Sequence, residues 1–286
     1  VDGHRYIDLL GNYTAGLLGH SPGPVVDAVR AALDNGLALG SVHVNEVRFA
    51  ELLVERFEAM QQVRFTNSGT EANLLALAAA THHTERSKIV VFVNGYHGGV
   101  LTFGGGDNPV NVPHDWVICH YNDLADVTSA FDEHGADIAA VLVEPMQGSG
   151  GCIAGTVPFL SGLRDLCDTH GSLLIFDEVM TSRFSTGGAQ GLLSIRPDLT
   201  TLGKYLAGGL TFGAFGGRAD VMRHFDPTAG GLLGHAGTFN NNVLSMAAGV
   251  ATLTEILTED VLRATHQRGD RLRMAMNQAF EANGLA

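Results

Sequence analysis

One lysine stands in surroundings that suit amine chemistry. The chain has only two lysines, Lys88 and Lys204, against fifteen arginines. Lys204 is the only charged residue between Asp198 and Arg218, in an apolar and glycine-rich stretch. Desolvation disfavours the charged form of a lysine, and a neutral amine can form a Schiff base with a carbonyl compound. A lysine at the edge of the core, with its amine extended into water, would show the same pattern.

A carboxylate follows a second apolar segment. Asp177 comes directly after the run 173–176, which has the composition of a buried parallel strand. Open α/β sheets bind ligands at the carboxyl ends of their strands, so Asp177 is a candidate partner for a protonated ring nitrogen. A turn aspartate that caps the next segment would look the same.

A third group of residues has the pattern of an anion site. Ser68, Gly69 and Thr70 lie between a predicted strand at 63–66 and a helical run at 72–80. A helix N-terminus with glycine and hydroxyl groups presents free N–H groups to an anion such as phosphate. An ordinary capped helix also begins with Ser or Thr followed by Glu, and both interpretations can hold together.

An aromatic residue and an imidazole share a glycine-rich turn after the next predicted strand. Tyr96 and His97 lie between Gly95 and Gly98. A flat ligand ring could stack on a tyrosine in such a turn, although a turn tyrosine more commonly packs on the surface.

The elements that must position these residues alternate between helix and buried strand. This alternation predicts an α/β fold with a mainly parallel sheet flanked by helices. The predicted strands are 63–66, 89–93, 117–120, 138–143, 173–176 and 212–216, with a further strand-like segment at Arg5–Asp8. The predicted helices are 24–35, 45–60, 72–80, 123–134, 158–170 and a segment that begins near Val261.

Charge and composition exclude several classes of partner. The formal net charge of −13 would repel nucleic acid and anionic lipid, so a small-molecule substrate is expected. No apolar run is long enough to span a bilayer. Three isolated cysteines without CxxC spacing suggest reduced thiols, and we expect a cytoplasmic protein. The histidines show no HExxH pattern, so no metal site is predicted.

Together, a desolvated lysine, a strand-end aspartate, a phosphate-type helix start and an aromatic turn are the parts of a pyridoxal-phosphate site. With these parts, the chain resembles the class III aminotransferases of fold type I, essentially from end to end. The motifs that carry the resemblance are Asn67-Ser-Gly-Thr-Glu-Ala72, Gly95-Tyr-His-Gly98, Val143-Glu-Pro145, Phe176-Asp-Glu-Val-Met180, Thr201-Leu-Gly-Lys204 and Gly237-Thr238.

The resemblance implies a role for each site residue. Lys204 would bind pyridoxal phosphate as a Schiff base and move protons, and Asp177 would hold the pyridine nitrogen. The residues implied to contact the cofactor are Ser68, Gly69 and Thr70 at its phosphate, Tyr96 and Val179 on the two faces of its ring, and His97 and Glu144 nearby.

The resemblance also implies a homodimer in which Thr238 reaches the phosphate of the partner subunit. Tyr13 and Tyr96 would contact substrate. The arginines that bind substrate carboxylates in such relatives would fall outside residues 1–286.

Two subfamilies compete within the class. The segments Gly11–His20, Asp177–Arg183 and His235–Asn242 resemble aminotransferases of aromatic β-amino acids such as β-phenylalanine. The expected reaction moves the amino group to a 2-oxo acid such as 2-oxoglutarate or pyruvate. Glutamate-1-semialdehyde 2,1-aminomutase is the alternative, but its pattern has an asparagine at the position of Ser149.

Further alternatives are a pyridoxal-phosphate-binding fragment without turnover and a Rossmann-like nucleotide enzyme. No GxGxxG follows the first predicted strand, which argues against the nucleotide enzyme. The two ends suggest a fragment. We expect an N-terminal segment at 1–20 that belongs to a small domain, a large cofactor-binding domain at 21–245, and at 246–286 the start of a helical connection to an incomplete C-terminal small domain.

Overall fold

The computed structural model describes residues 2–37 and 39–285. The helices in this part of the chain are α1 (Gly23–Leu33), α2 (Val44–Arg56), α3 (Gly69–Thr84), α4 (Leu124–His134), α5 (Val157–His170), α6 (Gly188–Leu193), α7 (Ala219–Met222), α8 (Val243–Ala251) and α9 (Glu259–Ala282). The strands are β1 (Gln62–Thr66), β2 (Lys88–Phe92), β3 (Asp115–Cys119), β4 (Ile138–Val143), β5 (Met146–Gln147), β6 (Ile153–Ala154), β7 (Leu173–Asp177), β8 (Leu199–Gly203) and β9 (Gly213–Gly217).

Within the described residues, seven strands form one mixed sheet in the order β1-β9-β8-β7-β4-β2-β3. The pairs from β3 through β2, β4 and β7 to β8 are parallel, whereas β9 is antiparallel to both β8 and β1. Helices connect most of the parallel strands and cover the sheet, as a buried parallel sheet requires. The predicted α/β fold with a mainly parallel sheet is confirmed.

Two local predictions need correction. Leu199–Gly203 is a fully buried strand, β8, that the sequence did not indicate, because two threonines and a glycine interrupt its apolar pattern. Arg5–Asp8 is not a strand, since Tyr6 and Ile7 are exposed by 81% and 88% and this segment is not assigned to a strand.

Helix α3 packs closely on the sheet and fixes the position of the predicted anion site. Its buried face carries small alanines, among them Ala72, Ala76 and Ala80, which let the helix axis approach the strands. Ser68 caps the helix by accepting a hydrogen bond from the Glu71 N–H group at 3.2 Å. The N-terminus of α3 therefore lies at the edge where the parallel strands end.

Helix α9 is the longest helix in the described residues, and Leu262 is its buried residue. No helix within residues 2–37 and 39–285 is long and apolar enough to cross a membrane.

Helix α5 offers a test of the core. Leu163 is fully buried in the cluster that also contains Phe92 and Phe159. Leu163→Ala leaves a cavity there and should lower the free energy of unfolding by about 2–5 kcal/mol, measured by urea unfolding. The exposed Leu192 on α6 provides the control, because Leu192→Ala should change the free energy of unfolding by less than about 0.5 kcal/mol. Equal effects of the two substitutions would contradict the packing described here.

Candidate active site

Asp177 occupies the carboxyl end of a central parallel strand. It is the last residue of β7, and it lies opposite Thr201 in the parallel pairing of β7 with β8. Its residue surface is only 4% exposed. A carboxylate at this depth requires hydrogen-bond donors, and the neighbouring elements supply them.

Three donors contact the Asp177 carboxylate. Oδ2 accepts hydrogen bonds from Asn73 Nδ2 at 2.9 Å and from His97 Nδ1 at 2.8 Å. Oδ1 accepts one from the backbone N–H group of Val179 at 3.0 Å. A carboxylate has about four acceptor positions, so one position on Oδ1 remains for a ligand.

Lys204 follows directly after β8, the strand beside Asp177. It begins a short 3-10 turn, and its backbone φ of 55° is in the left-handed region, which is unusual for a residue with a side chain. Burial lowers the pKa of the Lys204 amine below that of an ordinary lysine. The charges of Asp177 and Glu144 oppose this shift, and the charge of Arg183 adds to it. This shift has the same direction as the desolvation that the sequence predicts for Lys204.

The start of α3 approaches the same strand ends closely. A side chain at Gly69 would meet Val179 Cγ2 at 2.8 Å, and one at Gly203 would meet the Gly69 nitrogen at 3.3 Å. Gly69 and Thr70 lie in the first turn of α3, where backbone N–H groups have no partner within the helix. The geometry therefore leaves donors at this position that an anion can use.

The turn after β2 closes over the start of α3. Gly98 has a φ of 130°, and a Cβ atom there would overlap the side chain of Thr70. Glycine is needed at this position for both its conformation and the close approach. The turn thereby places His97 against Asp177 and leaves Tyr96 partly exposed, at 45%.

Glu144 holds the other side of this turn. Its Oε2 accepts from the Tyr96 N–H group and its Oε1 from the Gly148 N–H group, each at 3.0 Å. Burial raises the pKa of the Glu144 carboxyl, while the charge of His97 lowers it. Glu144 thus fixes the backbone of the turn.

Two further predicted site residues, Tyr13 and Thr238, make none of the contacts described above. Tyr13 is 76% exposed in a run of residues with positive φ, next to Thr14, whose carbonyl oxygen accepts from Arg183 Nη2. Thr238 is exposed between Gly237 and Phe239. Their predicted contacts with substrate and with a partner subunit's phosphate stay predictions.

Two residues beside the site, Asn73 and Arg183, were not predicted from the sequence. Asn73 is a buried polar residue on α3 and contacts Asp177 directly. A polar residue among the alanines and leucines of this helix was the available signal. The guanidinium group of Arg183 lies 4.3 Å from the ring centre of Tyr205, and its charge acts on Lys204. Its side-chain contact with Thr14 joins distant parts of the chain, so local patterns carried no signal for it.

The described residues contain no cluster of three or more His, Cys, Asp or Glu side chains that could hold a metal ion.

Comparison with known proteins places this geometry in a family. The family model of class-III aminotransferases matches residues 1–104 and 108–284. The chain belongs to the class III aminotransferase family.

Two relatives and one solved structure are similar to this chain over its whole length or nearly so. The chain is 53% identical to the beta-phenylalanine transaminase of Variovorax paradoxus over 286 residues. The aligned region comprises all of this chain and 66% of that relative. It is 44% identical to the glutamate-1-semialdehyde 2,1-aminomutase of Bordetella avium, across all of this chain and 70% of the relative. A crystal structure of a beta-phenylalanine aminotransferase from Variovorax paradoxus superposes with a TM-score of 0.96 at 53% identity, over 99% of this chain and 66% of that one. The chain thus spans about two thirds of the length of these relatives.

The residues at the strand ends fit the cofactor of this family. Class III aminotransferases use pyridoxal phosphate. Lys204 supplies a desolvated amine, and Asp177 has one unfilled acceptor position on a buried carboxylate. The start of α3 supplies donors for a phosphate. Gly69, Gly98 and Gly203 stand where a side chain would collide with the residues around this helix start.

The turn over α3 gives a matched test of the phosphate position. Gly98→Ala should weaken binding of pyridoxal phosphate at least about tenfold, because the new methyl group displaces Thr70 and the left-handed φ is strained. Gly99→Ala is the control, since a Cβ atom there meets no atom within 4 Å. Affinities are measured by equilibrium dialysis. Unchanged affinity in Gly98→Ala would show that Thr70 does not contribute to the site.

Proposed function

We propose that the chain is the cofactor-binding part of an aminotransferase that moves the amino group of an aromatic β-amino acid to a 2-oxo acid such as 2-oxoglutarate or pyruvate. The observation that carries the proposal is the convergence of Lys204 and Asp177 at neighbouring strand ends, beside the N-terminus of α3. The 53% identity to a beta-phenylalanine transaminase supports the choice of amino donor.

Lys204 and Asp177 carry the proposed chemistry. When bound, pyridoxal phosphate supplies an electron-accepting ring that stabilises negative charge at the substrate carbon. The Lys204 amine, whose pKa burial lowers, would hold the cofactor covalently, and once the substrate's amino group displaces it, the freed amine would take and return the proton at the substrate carbon. The free acceptor position of Asp177 Oδ1, beside the Val179 N–H contact, would accept a hydrogen bond from the protonated ring nitrogen.

The remaining residues bind and orient. Ser68 can still donate its hydroxyl proton to a phosphate while its oxygen accepts from Glu71, and Gly69 and Thr70 add backbone N–H groups. Tyr96 and Val179 would enclose the two faces of the ring. His97 and Glu144 fix the Asp177 carboxylate and the Tyr96 turn, respectively.

The roles of three further features are also proposed. Tyr13 and Tyr96 would contact substrate. A homodimer would let the exposed Thr238 reach the phosphate in the partner subunit. The free cysteines Cys119, Cys152 and Cys167 are consistent with a reducing compartment such as the cytoplasm.

The two lysines provide an internal control for cofactor attachment. With pyridoxal phosphate and borohydride reduction, Lys204→Ala should lose stoichiometric labelling of the chain, whereas Lys88→Ala should keep it. Lys88 is held by Asp115 at 2.9 Å, and this hydrogen bond raises the pKa of its amine. Mass spectrometry of the reduced chain locates the label. Full labelling of Lys204→Ala would remove Lys204 from its proposed role.

The pKa of Lys204 is lowered and that of Lys88 is raised, so labelling of the two amines should depend differently on pH. Only a neutral amine attacks a carbonyl carbon, and burial lowers the pKa of Lys204. Labelling of Lys204 should therefore persist as the pH falls well below the usual lysine pKa, while labelling of Lys88 should fade first. Labelling rates of the two peptides across a pH series measure this. Parallel profiles would contradict the desolvation of Lys204.

The amino donor distinguishes the candidate reactions. With 2-oxoglutarate present, β-phenylalanine should yield glutamate and a β-keto acid, measured by chromatography, with Lys204→Ala as the inactive control. Conversion of glutamate-1-semialdehyde to its isomer without a second substrate would favour the aminomutase instead, which the 44% identity keeps as the second candidate. Labelling at Lys204 without turnover of either compound would favour a binding fragment.

A further inference from the structure

Two buried side chains, Thr201 and Asn73, connect to Asp177 and have no role in the proposed chemistry. Thr201 Oγ1 donates to Asn73 Oδ1 at 2.7 Å. Asn73 Nδ2 donates to Asp177 Oδ2 at 2.9 Å and to the backbone oxygen of His97 at 3.0 Å. The Thr201 and Asn73 residues are at most 1% exposed. The connection therefore joins β8, α3 and β7 away from water.

The Thr201 hydroxyl holds the oxygen of the Asn73 amide while the other end of the amide faces Asp177. An amide has an acceptor oxygen on one side and two N–H donors on the other. Thr201 gives its single proton to Oδ1, and the donor side of the amide faces the carboxylate and the His97 oxygen. A rotated amide would place its oxygen against the oxygens of Asp177 and His97, which is unfavourable in a buried site.

The filled positions on Asp177 decide which position stays free. Asn73 and His97 occupy Oδ2, and the Val179 N–H group occupies one position of Oδ1. We propose that Thr201 and Asn73 are positioning residues that orient the Asp177 carboxylate, so that its remaining Oδ1 acceptor is available to the ring nitrogen of the cofactor. This inference rests on the proposed function, because it requires Asp177 to bind that nitrogen.

A purely structural role for the pair would have a different consequence. Asn73 lies among apolar residues of α3 such as Ala72, Ala76 and Leu77, and its hydrogen bonds could serve only to satisfy buried polar groups. In that case, losing the pair would disturb every ligand at the site alike. A positioning role predicts a loss only for ligands that have a ring nitrogen.

The experiment compares two ligands in matched variants. Thr201→Val and Asn73→Leu remove the connection with little change of shape, and Thr201→Ser keeps the hydroxyl. Thr200→Val is the control, since Thr200 is equally buried on the same strand but binds Gln190 Nε2 at 3.0 Å. Each chain is titrated by equilibrium dialysis with pyridoxal phosphate and with an analogue in which carbon replaces the ring nitrogen. Urea unfolding checks that each variant folds.

The wild-type chain should prefer pyridoxal phosphate over the analogue. Thr201→Val and Asn73→Leu should reduce affinity for pyridoxal phosphate about tenfold and leave affinity for the analogue unchanged, because one hydrogen bond to a charged group is impaired. Thr201→Ser and Thr200→Val should keep the wild-type preference. Asn73→Leu supplies the comparison if Thr201→Val does not fold.

Three outcomes would overturn the inference. Equal losses for both ligands would assign the pair a structural role. Unchanged affinities for both ligands in Thr201→Val and Asn73→Leu would show that Asp177 needs no such positioning, and the proposed function would stand. A wild-type chain without preference would show that Asp177 does not bind the ring nitrogen, and the proposed role of Asp177 would fail together with the inference.

Discussion

The buried carboxylate of Asp177 is the constraint around which the site is organised. A carboxylate that is almost fully removed from water must be surrounded by donors, or it destabilises the fold. The donors come from α3, from the turn after β2 and from the backbone that follows β7. The same requirement that stabilises the charge therefore brings together elements that are far apart in sequence. The site forms where those elements meet.

Close backbone approach is the second requirement. Gly69 packs against Val179, Gly203 against the start of α3, and Gly98 against Thr70. Each contact leaves no space for a side chain, so the glycines set how near the strand ends, the turn and the helix can lie. Lys204 follows one of these glycines with its backbone in the left-handed region, which directs the chain sharply out of β8. Packing density and local backbone conformation thus act together to place the amine beside the carboxylate.

Sequence patterns predicted the parts of the site that depend on local order. Asp177 after an apolar run, Ser68–Thr70 before a helix and Lys204 in an apolar stretch all have signals within a few residues. The sheet was predicted for the same reason, apart from β8, whose threonines face buried polar partners such as Asn73 and Gln190. Asn73 and Arg183 were not predicted, because their importance comes from contacts with residues distant in sequence. Those contacts exist only once the chain is folded.

The most direct measurement is a high-resolution crystal structure of the chain grown with pyridoxal phosphate. The density should run continuously from Lys204 Nζ to the cofactor, with the ring nitrogen within hydrogen-bond distance of Asp177 Oδ1 and the phosphate at the start of α3. A cofactor bound elsewhere, or a ring nitrogen with no contact to Asp177, would contradict the proposed roles of Lys204 and Asp177.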